Sequence, residues 1–359
     1  MNKINQKKSE SIEKINSEIL KQSHIAIDTE FMRERTYFAK LCLVQIATPS
    51  SIFCIDAISN DNLEEFWNCI SNSSCIFHSA RQDLEVIFQN SDLLPNKIFD
   101  TQIAAGLVGF EPQISYANLV EKLCGKVLKK SQTRANWEKR PLSKEMISYA
   151  REDVEFLLEM HAILLEKLKK LDRISWAEED SKSLNNCNLY KFDSNEAINR
   201  IKSAKYLSGR TKKAIHLLLK WRENKAIEKN LPRQWIIRDK TLVNIASTSI
   251  DLSGDFSNIK DISERFIKKN GDEVIKILEK SRISAEDYPP ENKMNEKQKK
   301  IMAEMQKFIV KISKSLNIAP EIIATKKEIK LYLMEKNKSK LIKGWRKKLT
   351  EEKFLELTE

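Results

Sequence analysis

The chain has 359 residues, more than one ordinary domain holds, and its 41% hydrophobic content is enough to bury real cores. Charged residues make up 32%, mean hydropathy is −0.48, and no run of about 18 apolar residues occurs, which excludes a membrane-spanning helix by pattern. The net charge of +12 is concentrated: residues 293–348 hold 17 Lys or Arg against 5 Asp or Glu, and the remainder balances at 46 of each sign. A charge excess confined to one block suits a polyanion partner, and nucleic acid fits better than a membrane surface because no lipidation signal accompanies it. A solvated surface is the plain alternative, because the whole chain favours Lys, Ile and Asn. The first 21 residues are polar and contain no signal-peptide core, so the expected location is the cytoplasm. Six cysteines form no C-x-x-C pair and several lie in apolar runs, which reads as buried reduced thiols and not as a zinc site.

In chain order, residues 11–22 have helical spacing and lead into the apolar strand His24-Ile25-Ala26-Ile27-Asp28-Thr29-Glu30-Phe31. Residues 40–47 and 51–56 are strand-like runs separated by Thr48-Pro49-Ser50, as in a hairpin. A short helix over 62–70, a strand over 75–78, a helix over 84–89 and a strand over 97–100 follow. From Thr101 the pattern is helical, through 117–123 to one long helix over 143–170 with Ser143 as N-cap. Strands first, then strands alternating with helices, predict a mixed α/β sheet. Ser, Asn and Asp accumulate over 181–195, predicting a linker. Residues 197–278 are helical with interruptions at 230–233 and 249–254. Pro289-Pro290 marks a second linker, and 294–348 is helical again, broken at Ala319-Pro320. Each helical segment pairs an X-Pro turn with a new helix. Asp239 is the expected cap of the first, and Thr325 with Glu328 the expected capping box of the second, so the two resemble weakly similar copies. Trp221, Trp235 and Trp345 are expected in helical cores.

Three short motifs carry chemistry. Side chains two apart share one face of a strand, so Asp28 and Glu30 point the same way, and two adjacent anions repel unless a cation lies between them. Asp83 follows a strand at the start of a helix, where capping alone would explain it. Tyr149 and Asp153 are four apart on the long helix, which places a phenol beside a carboxylate at roughly 5 to 6 Å between Cβ atoms. Four carboxylates from a strand end, a strand-to-helix turn and a helix are what two hard divalent metals require, and Mg²⁺ or Mn²⁺ suits all-oxygen donors.

In this order the motifs resemble the DEDD superfamily of 3′→5′ exonucleases in its tyrosine-bearing branch, and more narrowly the ribonuclease D family. The matching stretches are Ile27 to Phe31 with Arg33 and Arg35-Thr36-Tyr37; Leu43-Val44-Gln45-Ile46; His78 to Leu84; Asp100-Thr101-Gln102; Ser131 to Trp137 with Arg140-Pro141-Leu142; and Tyr149 to Asp153. The helical copies resemble helicase-and-RNase-D C-terminal (HRDC) domains, best in Leu231-Pro232-Arg233 to Leu242. One departure is Asn136, where many relatives carry an acidic residue. The resemblance implies a ribonuclease-H-like exonuclease domain over 1–180, a linker over 181–196, an HRDC-like domain over 197–282, a linker over 283–292 and a divergent HRDC-like domain over 293–359. It also implies removal of nucleotides one at a time from RNA 3′ ends, with release of 5′-mononucleotides and precursor tRNA as the leading substrate. No protein partner is implied. By the same carry-over, Asp28 would bridge two metals, Glu30 and Asp153 would complete the first, Asp83 would hold the second partly through water, and Tyr149 would orient the attacking water. Read from the residues themselves, Phe31 and Tyr37 either stack on the terminal bases or simply pack, and an aromatic beside a carboxylate of the site suits stacking. His78, Gln45 and Thr101 read as structural. The rival readings are a DNA 3′→5′ exonuclease, because the same carboxylates cut either polymer, and a non-catalytic RNA-binding scaffold.

Overall fold

Five apolar runs rich in Val, Ile, Leu, Phe and Cys pair into one sheet in the computed structural model, which describes residues 12–60, 62–128, 135–204, 207–248, 256, 259–283, 288 and 293–359. The strands are β1 (Ile25–Met32), β2 (Lys40–Ala47), β3 (Ile52–Asp56), β4 (Ser74–Phe77) and β5 (Lys97–Asp100), in the order β3-β2-β1-β4-β5. β1, β2 and β3 are antiparallel neighbours; β4 and β5 run parallel to β1. The hairpin between β2 and β3 closes with Thr48 N donating to Ser51 O at 2.8 Å. β2 is buried at every position but Lys40, as a strand covered on both faces must be. Residues 131–134, the interruption at 249–254 and Pro289-Pro290 lie outside the described residues. No helix among the described residues is long and apolar enough to cross a membrane.

The chain divides into two compact units. One joins the sheet, the helices packed on it and Met294–Glu359; the other holds Arg33–Ala39 and Lys191–Lys293. The C-terminal segment, expected as a separate helical domain, therefore lies within the sheet unit. Its apolar stripe supplies Met305, Ile309, Ile329, Tyr332 and Phe354 to the same core as Ala26, Ala47, Ile76, Leu157 and Leu164. Trp345 stacks on Trp176 with ring centroids 4.4 Å apart, and the Arg346 fork engages Asp180, with Nη2 2.9 Å from Oδ2. Gly109 has φ +103°, and a Cβ there would meet Asn317 O at 2.9 Å, so the backbones of the two segments approach closely.

The two helical segments do share local structure. In the first, the helix Gly209–Glu228 is followed by Asn230 at φ 46°, the one-turn helix Arg233–Ile236, extended Ile237 and the helix Asp239–Ser247. In the second, Glu296–Leu316 is followed by Asn317 at φ 51°, Pro320–Ile323, extended Ala324 and Lys326–Met334. Both Asn residues occupy the left-handed region that Asn tolerates.

Several local expectations change. Asp239 is the first helical residue and not the cap; its carboxylate instead takes Arg222 Nη1 at 2.6 Å. Thr325 caps as expected, but Glu328 turns to Ser339 and Lys340, and the reciprocal capping box belongs to Asn295 and Gln298. The helix over 143–170 is two helices, Lys144–Glu155 and Leu157–Lys170, divided at Phe156. Trp221 and Trp345 are buried, but Trp235 is 61% exposed, whereas Ile237, two residues on, is buried in the core of that unit.

A shared core has a measurable consequence. Met305→Ala should cost the sheet unit about 2–5 kcal/mol, and the sheet and the C-terminal helices should lose amide protection in one transition during denaturant-dependent hydrogen exchange. Two separate transitions would show that the segments fold independently.

Candidate active site

β1 is flanked on both sides, so its backbone fixes where Asp28 and Glu30 project. Asp28 lies opposite Gln45 and Glu30 opposite Leu43, and the register shifts between Glu30 and Phe31, a bulge at the strand's exit. Parallel pairing of β1 to β4 covers only Ile25 with Cys75 and Ala26 with Ile76. Beyond Ala26 the two strands part, which opens a crevice at the carboxyl end of β1, where ligands of α/β sheets bind.

Asp83 stands in that gap. β4 ends at Phe77, the chain turns through Ser79 at φ 62°, and the helix Arg81–Ser91 begins. Asp83 is buried, and its Oδ1 accepts from Thr29 Oγ1 at 2.6 Å and from Thr29 N at 3.2 Å. One carboxylate oxygen thus serves β1 where β4 no longer does. The turn is held by Asp100, whose carboxylate accepts from the amides of Ser79, Ala80, Gln102 and Ile103 at 2.8–3.2 Å. Thr29 and Asp100 are the functional supports that the motif reading missed, since their partners lie 54 and 20–21 residues away in sequence.

Asp153 arrives from the helix Lys144–Glu155, which Ser143 caps by accepting from Met146 N at 3.2 Å. Asp28, Glu30 and Asp153 each offer an oxygen, and these oxygens lie within 4.8 Å of one another. Burial, then the charges of Asp83, Asp153 and Glu30, push Asp28 well above the usual carboxylate range. Burial, then Asp153 and Asp83, push Glu30 up to about 9. Burial raises Asp83 and Asp153 to about 7 each, although hydrogen bonds from Thr29 and Tyr149 respectively act the other way. Tyr149 donates its hydroxyl to Asp153, and its ring packs near Trp137, 6.1 Å between centroids. Trp137 is positioned by Arg140, whose guanidinium takes Trp137 O at 2.7 Å and grips Asp56 with two nitrogens at 2.6 and 2.7 Å. Asn136 accepts from Glu138 N at 3.1 Å in the same turn.

This donor set fits divalent cations. It consists of hard oxygens, converges at ligand spacing, and carries raised proton affinities that a cation would reverse. His78 lies outside it: its ring nitrogens face Thr101 Oγ1 at 2.9 Å and Ile114 O at 3.0 Å, and burial lowers its pKa, as for a neutral structural imidazole. Phe31 follows the bulge and is part-buried. Tyr37 belongs to the other unit, where its hydroxyl bonds Glu223, Arg233 stands 4.7 Å above its ring, and Asn230 Oδ1 accepts from the amides of Tyr37 and Phe38. One ring face is therefore already engaged by a guanidinium.

Comparison with known proteins agrees with this geometry. The 3′-5′ exonuclease family model matches residues 4–169, and the HRDC domain model matches 212–278. Ribonuclease D of Bartonella henselae is 32% identical over 313 residues, covering 85% of this chain and 77% of its own. The chain belongs to the ribonuclease D family. Ribonuclease D of Shewanella sp. is 30% identical and covers 93% of this chain and 88% of its own. The crystal structure of Escherichia coli RNase D, described as an exoribonuclease involved in structured RNA processing, superposes with a TM-score of 0.87 at 25% identity, covering 96% of each chain. As a ribonuclease D, this chain is a 3′→5′ exoribonuclease. The readings as a DNA exonuclease or a non-catalytic scaffold give way to it.

The raised pKa values make the metal-free protein sensitive to pH. Between about pH 4, where the unfolded carboxylates release their protons, and about pH 9, where Glu30 does so in the folded chain, the folded state holds more protons than the unfolded. Stability of the metal-free protein should therefore fall as pH rises through this window. Asp28→Asn should raise the melting temperature of chelator-treated protein at about pH 8 and raise it much less at about pH 5, as read by calorimetry. An equal effect at both values would refute the charge crowding.

Proposed function

We propose that this ribonuclease D trims RNA 3′ ends with two divalent cations, Mg²⁺ or Mn²⁺. Asp28 would bridge both, Glu30 and Asp153 would complete the first site, and Asp83 would hold the second. The carrying observation is the convergence of Asp28, Glu30 and Asp153 within 4.8 Å in a desolvated notch. Asp83 has one oxygen committed to Thr29, which suits a residue reaching its cation partly through water. Cations held by these carboxylates would supply activation of a water and stabilisation of the leaving 3′ oxygen. Tyr149 orients the attacking water, since its hydroxyl already points to Asp153. Phe31 stacks on the terminal base from the bulge beside Glu30.

The substrate class we favour is precursor tRNA with a 3′ extension, trimmed in the cytoplasm to release 5′-mononucleotides. The family and the basic composition of the chain support RNA. In the helix Glu296–Leu316, Lys297, Lys300, Lys311 and Lys314 are exposed and form no ion pair among the described residues. These lysines are well suited to drawing phosphates toward the sheet unit to which they belong.

Three variants test the site on a 3′-extended tRNA transcript under single-turnover conditions. Asp28→Ala and Asp153→Ala should abolish trimming. Tyr149→Phe should lower kcat roughly 10²-fold with Mn²⁺ affinity unchanged, the low range for a group that assists proton handling. Wild-type turnover in Tyr149→Phe would remove the phenol from the chemistry.

Replacing Lys297, Lys300, Lys311 and Lys314 with Gln should flatten the salt dependence of RNA binding, each lost phosphate contact reducing the log-log slope by about 0.7 on single strands. An unchanged slope, read by fluorescence anisotropy, would assign these lysines to solvated surface.

A further inference from the structure

The stretch 143–170 contains neither Pro nor Gly, yet it breaks at Phe156. A helix break without those residues calls for a group inserted into the backbone ladder. That group is the hydroxyl of Tyr116. It donates to Glu152 O at 2.7 Å and accepts from Phe156 N at 3.2 Å. These are the carbonyl and amide that an uninterrupted helix joins directly. The phenol therefore replaces one rung of the ladder.

The position of the interruption matters. The intercepted carbonyl belongs to the residue before Asp153, and the freed amide lies three residues after it. Tyr116 is itself firmly placed. It opens the helix Tyr116–Cys124, which Ser115 caps by accepting from Asn118 N at 3.3 Å. Its ring meets His78 edge-on at 5.7 Å, and the carbonyl of Ile114, two residues earlier, accepts from Gln102 Nε2 at 3.1 Å and stands 3.0 Å from His78 Nε2. A chain of contacts thus runs from the turn after β4 to the helix that carries Asp153.

We propose that Tyr116 is a positioning residue: by occupying the ladder between Glu152 and Phe156, it sets the direction in which Asp153 presents its carboxylate to the cation site. The proposal rests on Asp153 being a metal ligand. It separates Tyr116 from Tyr149, because Tyr116 acts on ligand geometry and Tyr149 on the water. With Phe at position 116, the Phe156 amide can bond Glu152 O directly and the helix can run on, turning Asp153 away from Asp28 and Glu30.

The test is direct Mn²⁺ titration by calorimetry, without RNA, on the full-length wild type, Tyr116→Phe and Asp153→Asn. Tyr116→Phe keeps the ring and its packing. It should weaken Mn²⁺ binding about 10- to 100-fold, the range for groups that orient metal ligands. RNA affinity in chelator should remain at the wild-type level, and kcat should recover as Mn²⁺ is raised toward saturation. Wild-type Mn²⁺ affinity in Tyr116→Phe, whether or not its melting temperature falls, would overturn the positioning role, provided that Asp153→Asn binds weakly. Wild-type affinity in Asp153→Asn would instead overturn the ligand assignment and the proposal with it.

Discussion

The constraint on which this structure depends is the crowding of carboxylates away from water. Asp28 and Glu30 cannot rotate apart, because β1 pairs with β2 through both positions and its pleat sends both to one face. Asp153 adds a third oxygen within 4.8 Å. The groups that act on these residues include one another, Asp83, Glu152 beside Asp153, Asp100 beside Asp83, the hydroxyls of Thr29 and Tyr149, and backbone amides. Hydrogen bonds lower the proton affinities without cancelling the repulsion. Two relaxations are open to such a notch: to bind protons, which the values near 7 for Asp153 and 9 for Glu30 describe, or to bind cations. A lysine in the notch would relieve the same repulsion but would fill the space that catalysis requires.

The site also shows how one residue can serve scaffold and chemistry together. Where β4 diverges from β1, the amide of Thr29 would face a gap in the ladder, and a buried amide left unpaired is costly. Asp83 closes that gap with one oxygen, Oδ1. Asp100 likewise gathers four amides at the turn that delivers Asp83. The crevice therefore exists because the strands part, and it holds its shape because carboxylates substitute for the missing strand.

What was legible in the sequence divides by the range of the interaction. The five strands, the D-x-E pair, the Y-x-x-x-D face and the Ser143 and Thr325 caps were readable because each depends on spacings of two to four residues. The break at Phe156 was not, because the inserted hydroxyl comes from 36–40 residues earlier. Asp239 looked like a cap by position, but Arg222, 17 residues earlier, claims its carboxylate. Trp235 fits a core pattern, yet Ile237, two residues on, is the residue that enters the core. The apolar stripe of 294–348 announced a buried face without naming what buries it. Periodicity reports that a helix has a partner and is silent on which surface the partner is.

Burial of that apolar stripe bears on function through charge. A notch of four carboxylates repels an incoming phosphodiester, and bound cations cancel that repulsion only locally. The lysines of Glu296–Leu316 provide an opposing field, but exposed charges act over a Debye length of about 8–10 Å at physiological salt, so their placement decides whether they matter. On a loosely tethered domain, that placement would fluctuate with each rearrangement of the linker. Here Met305, Ile309 and Phe354 belong to one core with Ala26 and Ile76, residues of the very strands that frame the crevice. The attractive surface is thus fixed relative to the carboxylates by the packing that folds the unit, and a change that loosens this core alters stability and the field around the site together.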